Sequence, residues 1–124
     1  MISRRQKSYF DLARRVSKRS DCRCRIGSVL VKSGRVLSIG NNERKIGPEV
    51  TRMGYAYSLH AEISACLGLE REDLHGATLY NWRETRRGEK TISKPCKLCQ
   101  KILGGLGIRQ VYYTTGNSFE CLKI

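Results

Sequence analysis

Two short motifs set the strongest constraint on how this chain can fold. The first is His60-Ala61-Glu62, and the second is Pro95-Cys96-Lys97-Leu98-Cys99. One imidazole and two thiolates suit zinc, and three protein ligands with water in the fourth position are typical of a catalytic zinc site. A fold that uses both motifs must bring His60, Cys96 and Cys99 together from two separate segments.

The residues around this predicted zinc site indicate hydrolytic chemistry. Each motif opens a predicted helix, and the partial positive charge at a helix N-terminus favours a thiolate. Zinc lowers the pKa of a bound water towards neutrality and so supplies a nucleophile. Glu62 follows His60 by two residues, so we predict that Glu62 is the general acid–base that moves the protons.

The cysteines also allow other interpretations. A structural zinc would need a fourth ligand, and four further cysteines are available: Cys22, Cys24, Cys66 and Cys121. Cys22 and Cys24 could instead form half of a second zinc site, although buried free thiols are the commoner outcome. The second histidine, His75, is interpreted as an exposed or capping residue.

Hydrophobic periodicity in the first half of the chain predicts a helix and a β-hairpin. The helix is expected over residues 3–19. Its apolar face would carry Tyr9, Leu12, Ala13 and Val16. The hairpin would pair Ile26–Lys32 with Arg35–Ile39 around the turn Ser33-Gly34. Residues 41–57 are polar and interrupted by glycine and proline, which predicts a loop.

The second half of the chain continues to alternate between helices and strands. Ser58 is the predicted N-cap of a helix that carries His60 through Leu67 and ends at Gly68. The remaining predicted elements are a strand over Ala77–Trp82, a helix from Pro95 to about Leu103, a strand over Arg109–Thr114 and a short strand over Phe119–Ile124. This order predicts an α/β domain over residues 1–124, with a mixed sheet of about five strands and helices packed on it.

The two motifs and their surroundings resemble the zinc-dependent cytidine and deoxycytidylate deaminase superfamily. A His-x-Glu followed by Pro-Cys-x-x-Cys is a known signature of zinc nucleobase deaminases. The resemblance extends from about Cys22 to Thr114. It is carried by RIGSVLVKSGRVLSIGNN, LHAEISACLG, GATLYNW and KPCKLCQKILGGLGIRQVYYT. The family likeness implies a three-layer α/β/α sandwich, a Zn²⁺ cofactor and a homo-oligomer.

The resemblance also implies roles for individual residues. Zinc-bound hydroxide would attack C4 of a cytosine ring, and Glu62 would relay protons to the departing ammonia. Asn42 matches the asparagine that closes the family's second strand and contacts the sugar. The residues expected to border the base pocket are the backbone of Ala61 and the nearby Ser93 or Lys94. Tyr113 is a further candidate, for base stacking or a phosphate contact.

Two features depart from the family pattern. Arg83–Lys94 forms a longer, basic insertion before the second motif, and it could hold a nucleotide phosphate or a single-stranded backbone, or be a solvated hairpin extension. Near the end of the chain, only the turn-like TTGNS separates the last two predicted strands. That short turn predicts an antiparallel final strand, the arrangement of free cytidine deaminases.

The charge of the chain bears on its substrate. Lysine and arginine number 24 against 11 acidic residues, which gives a net charge of +13. Such a surface favours anionic partners, although it could also serve solubility alone. Deoxycytidylate is therefore the preferred substrate, with deoxycytidine next. The alternatives are cytosine in single-stranded DNA or RNA, adenosine in tRNA, or a basic nucleic-acid-binding module with a structural zinc.

The sequence carries no export or membrane signal. No apolar run approaches the length of a membrane helix, and no apolar segment follows the basic N-terminus MISRRQKSYF. We therefore expect a cytoplasmic protein without a membrane partner.

Overall fold

The structure is a computed structural model that describes residues 2–43 and 60–124. The helices are α1 (Arg4–Ser17), α2 (Ala61–Cys66), α3 (Arg71–Leu74) and α4 (Lys97–Gly105). The strands are β1 (Arg25–Lys32), β2 (Arg35–Asn41), β3 (Thr78–Glu84), β4 (Lys90–Thr91), β5 (Gln110–Thr114) and β6 (Phe119–Lys123). Together these strands form one mixed sheet in the order β2-β1-β3-β5-β6, and β4 pairs with β3.

The direction of the strands follows from their connections. β1 and β2 form the predicted hairpin, and its turn residues Ser33 and Gly34 both have positive φ, as this tight turn requires. β1 and β3 are antiparallel, whereas β3 and β5 are parallel, because α4 crosses over between them. β6 returns antiparallel to β5, which confirms the prediction for the last strand.

Alternating residues of the strands build two separate cores, one on each face of the sheet. Val29, Val31 and Tyr80 pack against Phe10 and Ala13 of α1. The residues between them point the other way, and Leu30, Leu79 and Val111 pack against α2 and α4. This arrangement confirms the predicted α/β/α layers.

The first helix matches its prediction closely. A capping box begins α1, in which the Ser3 hydroxyl accepts from Gln6 N at 3.1 Å and Ser3 N donates to Gln6 Oε1 at 2.9 Å. The buried face contains Ala13 and Val16 as predicted, with Tyr9 and Leu12 half-buried, and Phe10 adds to it. The sequence reasoning did not assign Phe10 to this face.

A buried carboxylate also attaches α1 to the sheet. The Glu84 side chain is fully buried at the end of β3, and its Oε2 accepts from Lys18 Nζ at 3.0 Å. Its Oε1 accepts from Trp82 Nε1 at 2.9 Å and lies 3.6 Å from Arg14 Nε. The negative charge is thus compensated by cations from the helix.

Several boundaries differ from the predictions. β3 continues to Glu84 and pairs with β4, so the basic insertion forms a hairpin extension of the sheet. This added strand makes the sheet six-stranded rather than about five-stranded. The helix predicted to begin at Pro95 begins at Lys97, because Cys96 is its N-cap. The short helix α3 was not predicted.

Part of the predicted loop over 41–57 and the predicted N-cap Ser58 lie outside the described residues. At the near edge of that segment, Asn41 belongs to β2 instead of to a loop. Across the described ranges, no helix combines the length and apolarity needed to cross a membrane.

Helix α2 lies unusually close to β2 at Gly40. A Cβ on Gly40 would meet Ala65 N and would lie 2.8 Å from Ala61 O. Only glycine, which has no side chain, fits this approach without displacing α2. Gly40 therefore determines how deeply the helix that follows His60 is seated on the sheet.

We expect Gly40→Ala to push α2 away from the sheet and destabilise the fold by about 1–3 kcal/mol, the usual cost of overpacking. Zinc content of the purified protein should fall with it, because His60 immediately precedes α2. Urea denaturation and metal analysis would check both effects. Gly105→Ala is the matched control, since a Cβ there meets nothing within 4 Å. Equal behaviour of the two variants would contradict this view of the α2 contact.

Candidate metal centre

His60 lies at the beginning of α2, on the face of the sheet opposite α1. It is the N-cap residue, with extended backbone, and its carbonyl accepts from Ser64 N at 2.9 Å. Burial lowers the pKa of the imidazole. The neutral ring that this favours is the form that binds metal ions.

The second motif places its two cysteines at the beginning of α4. Cys96 is the N-cap, and its sulfur accepts from Cys99 N at 3.4 Å. Cys99 is fully buried one turn further on, whereas Cys96 is exposed. Peptide N–H groups at the helix N-terminus favour a thiolate at both positions.

These two helix starts meet in a geometry that fits zinc. Cys99 Sγ lies 3.3 Å and Cys96 Sγ lies 3.9 Å from His60 Nδ1. The possible ligand atoms of the three residues all lie within 4.8 Å of one another. Tetrahedral zinc with Zn–S of about 2.3 Å and Zn–N of about 2.0 Å holds its ligand atoms roughly 3.5–3.8 Å apart. The three side chains therefore need only small adjustments to bind the ion.

The other cysteines do not complete this site. Among residues 2–43 and 60–124, the group that could hold a metal consists of His60, Cys96 and Cys99. Burial, and then the charge of Glu62, raise the pKa of the Cys66 thiol to about 12, which makes it a poor ligand. Cys121 lies away on β6, with its thiol near Gln110 Oε1. A four-ligand structural zinc thus finds no support in the described part of the chain.

Glu62 lies in the first turn of α2 and is almost completely buried. Burial raises the pKa of its carboxyl from 4.5 to about 7, although a backbone hydrogen bond and a hydrogen bond from Asn81 lower it. A carboxyl with a pKa near neutrality can both accept and donate a proton at physiological pH. The environment of Glu62 is therefore suited to the predicted acid–base role.

Asn81 also belongs to this site and was not predicted from the sequence. This residue is fully buried in β3, and its Oδ1 accepts from Ser28 Oγ at 2.6 Å. Because the oxygen is occupied by Ser28, the amide nitrogen is directed towards Ser93 O, at 3.4 Å, and Glu62. An asparagine at an inward position of the otherwise apolar strand ATLYNW was the available signal.

Two of the predicted substrate-binding residues already have partners within the fold. Asn42 accepts from Ile26 N and donates to Cys24 O, both at 2.9 Å, and so joins the end of β2 to the start of β1. The Ser93 hydroxyl is buried, donates to Asn81 O at 2.9 Å and accepts from Thr114 N at 2.7 Å. A role for either residue in binding substrate stays a prediction.

The other three predicted substrate-binding residues are neighbours of site residues in the sequence or in the sheet. Ala61 is buried directly after His60. Lys94 is exposed just before Pro95. Tyr113 is 7% exposed and is the β5 neighbour of Asn81 in the sheet. Their positions are compatible with a pocket at this end of the sheet.

Comparison with known proteins agrees with this geometry. Residues 3–115 match the family model described as the cytidine and deoxycytidylate deaminase zinc-binding region. The deoxycytidylate deaminase of Mycobacterium phage D29 is 32% identical over 85% of this chain and 90% of its own length. The chain therefore belongs to the cytidine and deoxycytidylate deaminase family, whose zinc-binding region holds a Zn²⁺ cofactor.

Solved structures support the fold. Cytidine deaminase from Burkholderia pseudomallei has a TM-score of 0.69 at 18% identity, covering 98% of this chain and 93% of that one. The dCMP deaminase from cyanophage S-TIM5, in complex with dCMP and dUMP, has a TM-score of 0.61 at 21% identity, covering 90% and 81%. At this level of identity the likeness shows the cytidine deaminase-like fold.

Burial of Glu62 makes the stability of the metal-free protein depend on pH. Between pH 4.5 and about 7, the unfolded chain loses the Glu62 proton while the folded chain keeps it, so stability falls as the pH rises. Above this window, the free energy of unfolding of metal-free Glu62→Gln should exceed that of the wild type by up to about 3 kcal/mol. This difference should shrink as the pH falls towards 4.5.

Urea denaturation at a series of pH values would measure this difference. The exposed Glu89 provides the control, because Glu89→Gln makes the same chemical change on the protein surface. A constant gap between Glu62→Gln and wild type from acid to alkaline pH would contradict the assigned environment of Glu62.

Proposed function

We propose that this protein deaminates deoxycytidylate to deoxyuridylate by zinc-dependent hydrolysis, with release of ammonia. The observation that carries the proposal is the meeting of His60, Cys96 and Cys99 beside the buried Glu62. The relative from phage D29 is named a deoxycytidylate deaminase, and the cyanophage enzyme was solved with dCMP and dUMP. A net charge of +13 also favours a phosphorylated substrate over the nucleoside.

The proposed mechanism assigns the proton transfers to Glu62. When bound by His60, Cys96 and Cys99, zinc supplies Lewis acidity that lowers the pKa of a water. Glu62 would accept a proton as the oxygen of a water bonds to C4 of the cytosine ring, and would pass that proton to N3. The same carboxyl would then take the proton of the new hydroxyl and donate it to the amino nitrogen as the C4–N bond breaks, so that ammonia leaves and C4=O remains. In the metal-free protein burial raises the pKa of Glu62 to about 7, which supports its assignment as the group that both accepts and donates protons.

We assign the remaining predicted site residues to substrate binding. The side chain of Asn42 makes one bond to Ile26 N and one to Cys24 O, so its Nδ2 keeps a second hydrogen and its Oδ1 a second lone pair. Asn42 would contact the sugar with these. The backbone of Ala61 and the segment Ser93-Lys94 would border the base. Tyr113 would close the pocket from β5.

A polymeric substrate is the second candidate. Arg23, Arg86 and Arg87 line a cavity of about 550 Å³ beside the β3–β4 hairpin, and such a basic surface could hold the backbone of single-stranded DNA or RNA. Adenosine in tRNA belongs to the same class of substrate. Homo-oligomerisation and a cytoplasmic location stay predictions for this chain.

Turnover assays separate these candidates. Zinc-loaded protein should convert dCMP faster than deoxycytidine and leave a cytosine-containing oligonucleotide unchanged, as measured by chromatography of the uracil products. Glu62→Gln should lose at least about 100-fold in kcat, because it cannot transfer protons, while it retains zinc. Glu89→Gln is the matched control and should keep full activity. Turnover of the oligonucleotide alone, or an active Glu62→Gln, would refute the proposal.

Asn81 should affect the same reaction through the pKa of Glu62. Asn81→Leu removes a hydrogen bond that lowers the pKa, so the acid limb of the kcat/KM profile should move to higher pH. Ser28→Ala should move it in the same direction by less, since the amide loses only its orienting partner. A pH–rate profile of each variant provides the measurement. A uniform drop at every pH would assign Asn81 a packing role instead.

A further inference from the structure

Arg83 lies on β3, two residues beyond Asn81, and has no role in the proposed mechanism. It follows Asn81 by two positions on β3, so both side chains lie on the sheet face that carries α2 and α4. Its neighbours across the sheet are Ile26 of β1 and Thr91 of β4. Arg83 is therefore the next inward-facing residue beyond the asparagine that contacts Glu62.

The guanidinium of Arg83 has a nitrogen without a hydrogen-bond partner in the part of the chain that the structure describes. Its Nε is buried without a hydrogen bond, although the residue as a whole is only half-buried. The neighbouring carboxylate of Glu84 cannot neutralise it, because Glu84 points to the other face and binds Arg14 and Lys18. A guanidinium remains charged at any physiological pH, so this partly desolvated cation favours an anionic ligand.

A second arginine shows why position matters as well as burial. Arg25 also has a buried Nε without a hydrogen bond in the described part of the chain. It shares its face of β1 with Gly27 and Val29, however, which lie against α1. Arg25 is therefore separated from the metal centre by the sheet, whereas Arg83 is on the same side as Glu62.

The spacing between Asn81 and Arg83 along β3 suits one particular anion. Two residues along a strand span about 7 Å, and Glu62 is hydrogen-bonded to Asn81 at the near end of that span. In a nucleotide, the 5′-phosphate is separated from the reacting base by the width of the sugar. A guanidinium at Arg83 matches this separation, and its planar N–H groups bind phosphate oxygens in pairs.

We propose that Arg83 binds the 5′-phosphate of the substrate and thereby selects the nucleoside monophosphate over the nucleoside. This inference rests on the proposed deaminase function and adds the residue that determines substrate size. It assigns a function to the first residue of the basic insertion, which the family pattern does not explain.

The test compares two substrates in matched variants. In Arg83→Gln, the ratio of kcat/KM for dCMP to that for deoxycytidine should fall about tenfold or more, the loss expected for a hydrogen bond to a charged group. Arg83→Lys, which keeps the charge, should restore part of the ratio. Arg25→Gln should leave the ratio at the wild-type value. An unchanged ratio in Arg83→Gln, or a parallel loss with both substrates, would overturn the proposal.

Product binding tests Arg83 independently of catalysis. Calorimetric titration should show that Arg83→Gln weakens the binding of dUMP about tenfold more than the binding of deoxyuridine. Arg25→Gln should leave both affinities unchanged. If the wild type binds dUMP through Arg83 but deaminates neither monomer, the proposed function fails and the phosphate site stands. If Arg83→Gln weakens the binding of a cytosine oligonucleotide but not that of dUMP, Arg83 contacts a polymer backbone and the proposed 5′-phosphate contact is wrong.

Discussion

The parallel pairing of β3 with β5 is the constraint on which the site depends. Parallel neighbours cannot be joined by a tight turn, so the chain must cross the sheet, and it does so through α4. The crossover helix begins beyond the carboxyl end of β3, on the same face as α2. The N-terminal ends of the two helices therefore meet, and the ligands that they carry lie within one coordination sphere. The crossover is thus what brings the two cysteines close to His60.

The sheet also separates two buried carboxylates that the protein treats differently. Glu84, on the α1 face, is surrounded by Lys18, Arg14 and the indole of Trp82. Glu62, on the other face, has a neutral amide from Asn81, so burial is the largest influence on its pKa. Because the cations of α1 lie on the opposite face, they do not offset the effect of burial on Glu62. Its pKa therefore stays near 7, where a group can both accept and donate a proton. The same separation leaves Arg83 available to an anion that is not part of the protein.

The sequence predicted the features that arise from local chemistry. The Ser33-Gly34 pair predicts its turn because a tight hairpin turn needs residues with positive φ, and Pro95 predicts the helix of the second motif to within two residues. Gly40 and Asn81 could not be recognised in the same way. Gly40 matters because α2 packs against it, and Asn81 matters because it lies beside Glu62. Each partner is about twenty residues away in the sequence, so local patterns do not reveal the contact. The extension of β3 was missed because charged residues such as Arg83 and Glu84 do not resemble a strand until their separate faces are known.

The proposed reaction and the proposed choice of substrate thus depend on different parts of the structure. The metal ligands and Glu62 are held by two helix starts over a close-packed core, where a small displacement would affect every ligand together. Arg83 is on the strand extension beyond that core, in the hairpin that β3 forms with β4. With the phosphate contact proposed for Arg83, the basic insertion would act as a specificity element, while the chemistry stays with the metal ligands and Glu62.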